Sequence, residues 1–492
     1  MRVELAARPA TPVWHRRQGI TTGIGLVAII VVGVLTGVGA YRPLFILLGI
    51  LGALAALQLS FSQWCLLLLG LTLATGVLLP IVDAPPLIGF LHYPVTAEFA
   101  AVALLRSTRG GTSGRVAAVT LVGLVLLSLV SMLANGSSPL RLALFLLIYV
   151  EPILVLLAVT SWQPESASWR RLGIGVAVLL AIQVPVGLWQ GITFGWLDPV
   201  RGTVHGNGPE AHVLGALFAL AAFLLTSAAL AGRFSKAAAV IGGSVALGMM
   251  IATGSNQVIL AFCIALLMTP LLRPRLATRT MSARRLATTI GGGVLVGLLA
   301  VSGLLLMEKS GVQILERAGS LARPDELPET QLVLQRTEDP LQLLVGSGPG
   351  TTASRASLLL TPSLLKETSP LAKLKLPPTK AALEIISTVR AKYGGSAEAV
   401  ASGALGLLGD LGLIGFCGYL VFLSMVWRRS RAVDAWIATA ARASLAMTTI
   451  LLFVDNWLEY PGYSLPLMLL VGMALQASKP AAADEPVPQQ VG

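Results

Sequence analysis

Apolar stretches of about twenty residues recur along this chain with short polar connections between them, and that pattern leaves few folds open. In hydrocarbon every backbone N–H and C=O must find its partner within the protein, and a bilayer core of about 30 Å takes roughly 20 apolar residues per helix. By that measure about fourteen spans are expected, near residues 20–38, 43–58, 63–81, 88–105, 116–134, 140–160, 172–193, 212–232, 236–252, 256–272, 288–307, 399–426, 442–459 and 462–477. Hydrophobic residues make up 55% of the chain and charged residues 12%, a composition of the polytopic membrane class. The fold predicted is an all-α transmembrane bundle of about 12–14 spans.

The arginines orient it. Arg16 and Arg17 precede the first stretch; Arg106, Arg109 and Arg115 follow the fourth; Arg170 and Arg171 follow the sixth. Arg233 and Lys236, then Arg273 to Arg285, then Arg428, Arg429 and Arg431 continue the series. If the helices alternate in direction, all these clusters fall on one side, which the rule makes the cytoplasm. The expected location is the cytoplasmic (inner) membrane with both termini cytoplasmic. The domain reading is 1–307 as the first transmembrane part, 308–396 as one long external (periplasmic) loop, 397–478 as the C-terminal helices and 479–492 as a disordered cytoplasmic tail. The formal charge of +12 is then a topology signal, and its short, divided clusters are not a nucleic-acid surface. No cleavable signal peptide is expected at the first stretch. Cys65, Cys263 and Cys417 lie inside expected spans, so neither a disulfide nor a cysteine metal site is expected.

Four outward segments follow from this topology in the later half: 195–211, a turn at 253–256, the long loop, and 460–463. The first reads Asp198-Pro-Val-Arg-Gly-Thr-Val-His-Gly-Asn-Gly-Pro-Glu210. It gathers Arg201, His205, Asn207 and Glu210, and it also reads as a polar turn in which Asn207 and Glu210 start the next helix. In the long loop, 331–344 and 380–393 space apolar residues for amphipathic helices that suit a bilayer interface. The prolines at 362, 370, 377 and 378 predict irregular chain between them. Gly346-Ser-Gly-Pro-Gly350 lacks the lysine and the strand–helix setting of a P-loop. It is expected to bring its backbone close to something, with phosphate contact through its N–H groups as the alternative. Glu98, Glu151 and Asp410 fall within expected spans, and Asp455 and Glu459 near an outer end. Intramembrane charges point to function or to pairs that fix helix packing.

In order and spacing, these segments resemble the bacterial O-antigen ligase and polymerase family. The resemblance rests on Arg201-Gly202-Thr203 followed by Asn207, on Gly254-Ser255-Asn256, and on Arg336 followed by Asp339-Pro340-Leu341 and Gly346-Ser-Gly348-Pro-Gly350. It continues at the loop's exit in Asp410-Leu-Gly412-Leu-Ile-Gly415, and covers roughly residues 195–425. Two departures stand out. Asn256 replaces the family's turn arginine, and Ala401-Ser402 stand where ligases carry a histidine. Polymerase-type transfer fits this pattern better than histidine-dependent ligation.

The resemblance implies transfer of glycan units from a polyprenyl diphosphate to an acceptor hydroxyl at the outer face of the membrane. The partners implied are that lipid-linked glycan, membrane lipid and a chain-length regulator. The diphosphate leaving group needs fixed positive charge, and arginine's planar fork supplies it. Arg201, Arg336 and Arg317 are the candidates, with Glu316 and Glu338 as alternative partners for loop arginines. With the family histidine absent, His205 and Glu210 are the candidate acid–base residues, imidazole being the side chain that titrates nearest neutrality. Gly202, Asn207, Gly346, Gly348 and Gly350 are candidate backbone turns near the substrate. No metal and no cofactor are expected. The competing readings are ligase-type transfer to a lipid or protein acceptor and a transporter or flippase for a lipid-linked glycan.

Overall fold

A computed structural model describes residues 57–73, 90–107, 112–162, 164, 166–196, 199–204, 210–268, 333, 335, 339–352, 354–358, 377–384, 387, 402–431, 433, 435–454 and 456–477. The chain divides into two units, Met1–Ser60 and Phe61–Gly492, and the helices below all belong to the second. They are α1 (Phe61–Leu73), α2 (His92–Arg106), α3 (Thr112–Asn135), α4 (Pro139–Ser161), α5 (Ser166–Phe194), α6 (Glu210–Leu230), α7 (Lys236–Ala252) and α8 (Asn256–Met268). Two short helices from the long loop follow, α9 (Pro340–Val345) and α10 (Arg355–Leu358). The last three are α11 (Gly403–Arg431), α12 (Trp436–Leu451) and α13 (Pro461–Gln476). Among the described residues there is no strand. Five of these helices contain stretches long and apolar enough to cross a membrane, Gly114–Asn135, Pro139–Ser161, Ala167–Phe194, Glu210–Leu230 and Gly403–Arg431. The expected stretches at 20–38 and 288–307, nearly all of 43–58, and most of the loop from 308 to 396 lie outside the described residues.

Packing separates two kinds of helix. α4 is the inner one: Phe145, Ile148, Tyr149, Ile153, Val155, Leu156 and Val159 are buried, and α2, α3 and α13 pack around it. The approach of α13 is close, since a methyl added to Gly472 would lie 2.6 Å from Val159 Cγ1. Small residues at a helix contact give this proximity, and dispersion takes over where lipid removes the hydrophobic drive. α5 is the outer kind, with Ile174, Val178, Ile182, Leu188, Trp189 and Ile192 exposed. In water such a surface would be costly; against acyl chains it matches its solvent.

Arg106, closing α2, lies over the Trp162 ring at 4.7 Å, just past the end of α4. Arg442, about midway along α12, donates to the Ser430 carbonyl at 2.5 Å near the end of α11. Phe61, Trp64, Phe99, Trp162 and Trp169 form an aromatic cluster beside Arg106, and Phe61, Trp64 and Phe99 are buried in it.

One expected span is corrected. The apolar stretch at 442–459 is not one helix: α12 ends at Leu451, and a 3-10 turn at Trp457–Glu459 follows. The Leu452 carbonyl accepts from the Ala404 N–H at 2.9 Å. The last turn of α12 is therefore tied to the first turn of α11. The chain then folds inward, so that Trp457 and Glu459 are buried.

Candidate functional site

Within α11 the helix is broken at Gly412, whose φ of 66° and ψ of −168° no helix contains. The Gly346–Gly350 segment docks on this break. Ser347 N–H donates to the Gly409 carbonyl at 2.8 Å and Gly348 N–H to the Asp410 carbonyl at 3.3 Å. Ser131 Oγ also donates to that Asp410 carbonyl at 3.0 Å, and Asn135 Nδ2 donates to the Gly346 carbonyl at 2.9 Å. Glycine is required on both sides of the contact. A Cβ at Gly346 would lie 2.3 Å from the Asp410 backbone, and one at Gly412 would lie 2.4 Å from Leu344.

The side chain of Asp410 holds the rest of the segment. It is fully buried, and its carboxylate accepts from Gly350 N–H (2.7 Å), Thr351 N–H (3.2 Å), Thr352 N–H (2.8 Å), Thr352 Oγ1 (2.6 Å) and Ser354 Oγ (2.5 Å). Of the amides that sequence reading offered to a phosphate, that of Gly350 is taken by this carboxylate, and those of Gly346, Ser347 and Gly348 by backbone carbonyls of the same chain. Arg141, from α4, donates to the Gly350 carbonyl at 3.2 Å and to that of Pro377. Thr379 Oγ1 donates to the Thr351 carbonyl at 2.6 Å. Two separate parts of the long loop are therefore pinned to the same point of the bundle.

Pinning places Arg355 one residue beyond the clamp. Its backbone N–H donates to Glu459 Oε2 at 2.6 Å, and its guanidinium lies over the Tyr460 ring at 4.3 Å. The guanidinium makes no ion pair among the described residues. Glu459 Oε1 accepts from Tyr149 Oη at 2.7 Å. Tyr149 lies about 15 Å along α4 from its first residue by helical rise, so this polar cluster is sunk well into an apolar bundle. Tyr93 lies within electrostatic reach of Glu151, Arg355 and Glu459. Next to it, His92 Nδ1 and Glu151 Oε1 are 2.6 Å apart, and Thr96 Oγ1 donates to the same oxygen at 3.0 Å.

The Arg201 turn is built by two glutamines of α5, about two helical turns apart. Gln190 Oε1 accepts from the N–H groups of Arg201 (3.0 Å) and Gly202 (2.7 Å), and its Nε2 donates to the Gly202 carbonyl at 2.9 Å. Gln183 Oε1 accepts from Thr203 N–H at 2.8 Å, and its Nε2 donates to Thr203 Oγ1 at 2.7 Å. Thr203 Oγ1 in turn donates to the Leu73 carbonyl. Gly202 has φ +60°, and a Cβ there would lie 2.4 Å from Gln183 Oε1. The result is a buried turn with Arg201 exposed on it. A methyl added to Gly462 would lie 3.5 Å from Val204 and 2.9 Å from Val213. The Arg201 turn and Arg355 therefore flank one short segment, Tyr460–Gly462.

Of the residues expected from sequence, Arg201 and Gly202 stand on this turn, and Glu210 is buried at the first position of α6. Gly346, Gly348 and Gly350 lie in the docked segment. His205, Asn207, Arg317 and Arg336 lie outside the described residues. Sequence reading assigned no role to His92, Tyr93, Arg141, Tyr149 or Arg355. Charged or hydrogen-bonding side chains inside apolar stretches were the available signal. Among the described residues no three His, Cys, Asp or Glu stand together as a metal site. The chain matches no protein-family model, and no curated protein matches it.

Proposed function

We propose that the protein is a membrane glycosyltransferase that takes glycan units from a polyprenyl diphosphate and adds them to an acceptor hydroxyl, as a polymerase of surface glycans does. The observation that carries this reading is the pair of arginine segments beside Tyr460–Gly462, Arg355 over Tyr460 and Arg201 on its glutamine-held turn. A lipid diphosphate leaving group gathers negative charge as its bond to the sugar breaks, and fixed guanidinium groups meet that charge without reorganising. The prenyl tail suits the lipid-facing helices, and the polar cluster of Glu459, Tyr149 and Tyr93 suits a sugar. The order of motifs shared with O-antigen ligases and polymerases supports the same reading. Arg336 and Arg317 belong to it as further phosphate partners.

The transporter reading would use the break at Gly412 as a substrate point, as broken helices do in carriers. That break is filled by the chain's own Gly346–Gly348 backbone, which weighs against it. The test is the glycan profile of cells lacking the protein, with lipid-linked and mature glycans separated by size. Single units without long chains are the expected result. Full-length polymer left on its carrier would make it a ligase, and lipid-linked units trapped on the cytoplasmic face would overturn transfer altogether.

A further inference from the structure

We propose that His92, oriented by Glu151, is the general base that takes the proton from the acceptor hydroxyl; this rests on the transferase reading above. Three observations carry it. The Glu151 carboxylate contacts Nδ1 at 2.6 Å, and its oxygen is held from the other side by Thr96 Oγ1 at 3.0 Å. A carboxylate there takes the Nδ1–H and leaves the lone pair on Nε2, which is how a buried acid sets the tautomer of a working imidazole. Nε2 has no hydrogen-bond partner among the described residues, while 9% of the His92 side chain remains exposed. The ring also lies beside the charge-bearing cluster: its centroid is 4.1 Å from that of Tyr93, which is within reach of Arg355 and Glu459.

A structural pair has no need of an Nε2 left open among the described residues. The step is a substitution at the anomeric carbon. The acceptor oxygen forms its bond to that carbon as the bond to the diphosphate oxygen breaks, and the electron pair leaves on the diphosphate beside the arginines. The hydroxyl proton passes to Nε2, the imidazolium is held by Glu151, and water removes the proton afterwards. Nucleophile and leaving group are then served by different elements, α2 with α4 on one side and the loop with the Arg201 turn on the other.

The test uses the full-length protein in liposomes with a polyprenyl-diphosphate-linked oligosaccharide as donor. His92→Ala is expected to lower kcat by about 100-fold at unchanged donor KM, with activity returning on addition of imidazole. Wild-type kcat in His92→Ala, or a folded variant that imidazole does not rescue, overturns the assignment. Should His92→Ala not fold, Glu151→Gln carries the test, because glutamine keeps an oxygen for Nδ1–H and removes only the charge. A fall in kcat of about tenfold at unchanged donor KM supports the dyad, and an unchanged kcat overturns it. Wild-type protein that transfers nothing overturns the transferase reading and the base with it, a result distinct from variants that match an active wild type.

Discussion

Replacing Asp410 by asparagine alters a single group at the point where the long loop meets the bundle. The more favourable amide orientation keeps the oxygen toward Thr351 N–H, Thr352 N–H and Thr352 Oγ1, which now bond to Oδ1. The new NH2 then faces Gly350 N–H, 2.7 Å from Oδ2 at present, and two donors meet at a fully buried position. The opposite orientation is worse, because it sets the NH2 against two backbone amides. An orphaned buried N–H costs about 1–3 kcal/mol, and losing charge assistance on three further bonds adds roughly 0.5–1 kcal/mol each. The expected destabilisation is about 3–5 kcal/mol, concentrated in the loop's anchorage. Thermal unfolding in detergent should show the loss. Limited proteolysis should show new cutting between residues 345 and 358 at temperatures where the helices remain intact. A variant that melts with the wild type and keeps this segment protected would refute the clamp.

Gln190→Leu strips three hydrogen bonds from the Arg201 turn, costs about 3 kcal/mol, and should raise donor KM at least about tenfold in the liposome assay. Gly412→Ala puts a methyl 2.4 Å from Leu344 at a φ of +66°, and should lower the unfolding midpoint by an amount worth about 3 kcal/mol.

The helices were legible because bilayer thickness sets their length. Stretches expected at 140–160 and 212–232 correspond to Pro139–Ser161 and Glu210–Leu230. The failure at 442–459 has a local cause that hydropathy does not carry, the capture of the Leu452 carbonyl by Ala404 N–H. The glycine segment was legible as a close approach of backbone. That it approaches Asp410, some sixty residues later, was not, since nothing near Gly350 marks the partner. The same holds for the polar cluster. His92, Glu151, Tyr149, Arg355 and Glu459 come from four separate stretches, and only folding shows that they are neighbours. Arg201 could be singled out in the sequence, but the glutamines that fix its turn look like ordinary polar residues of a long helix.

The most direct test of the account is transfer by the purified protein in liposomes, supplied with a polyprenyl-diphosphate-linked glycan and a hydroxyl-bearing acceptor glycan. The account predicts acceptor chains longer by whole units, one prenyl diphosphate released for each unit added, and a loss of at least about 100-fold in kcat for Arg355→Ala. Donor that crosses the bilayer with its glycan still attached, or that is left unchanged in the presence of folded protein, would contradict it.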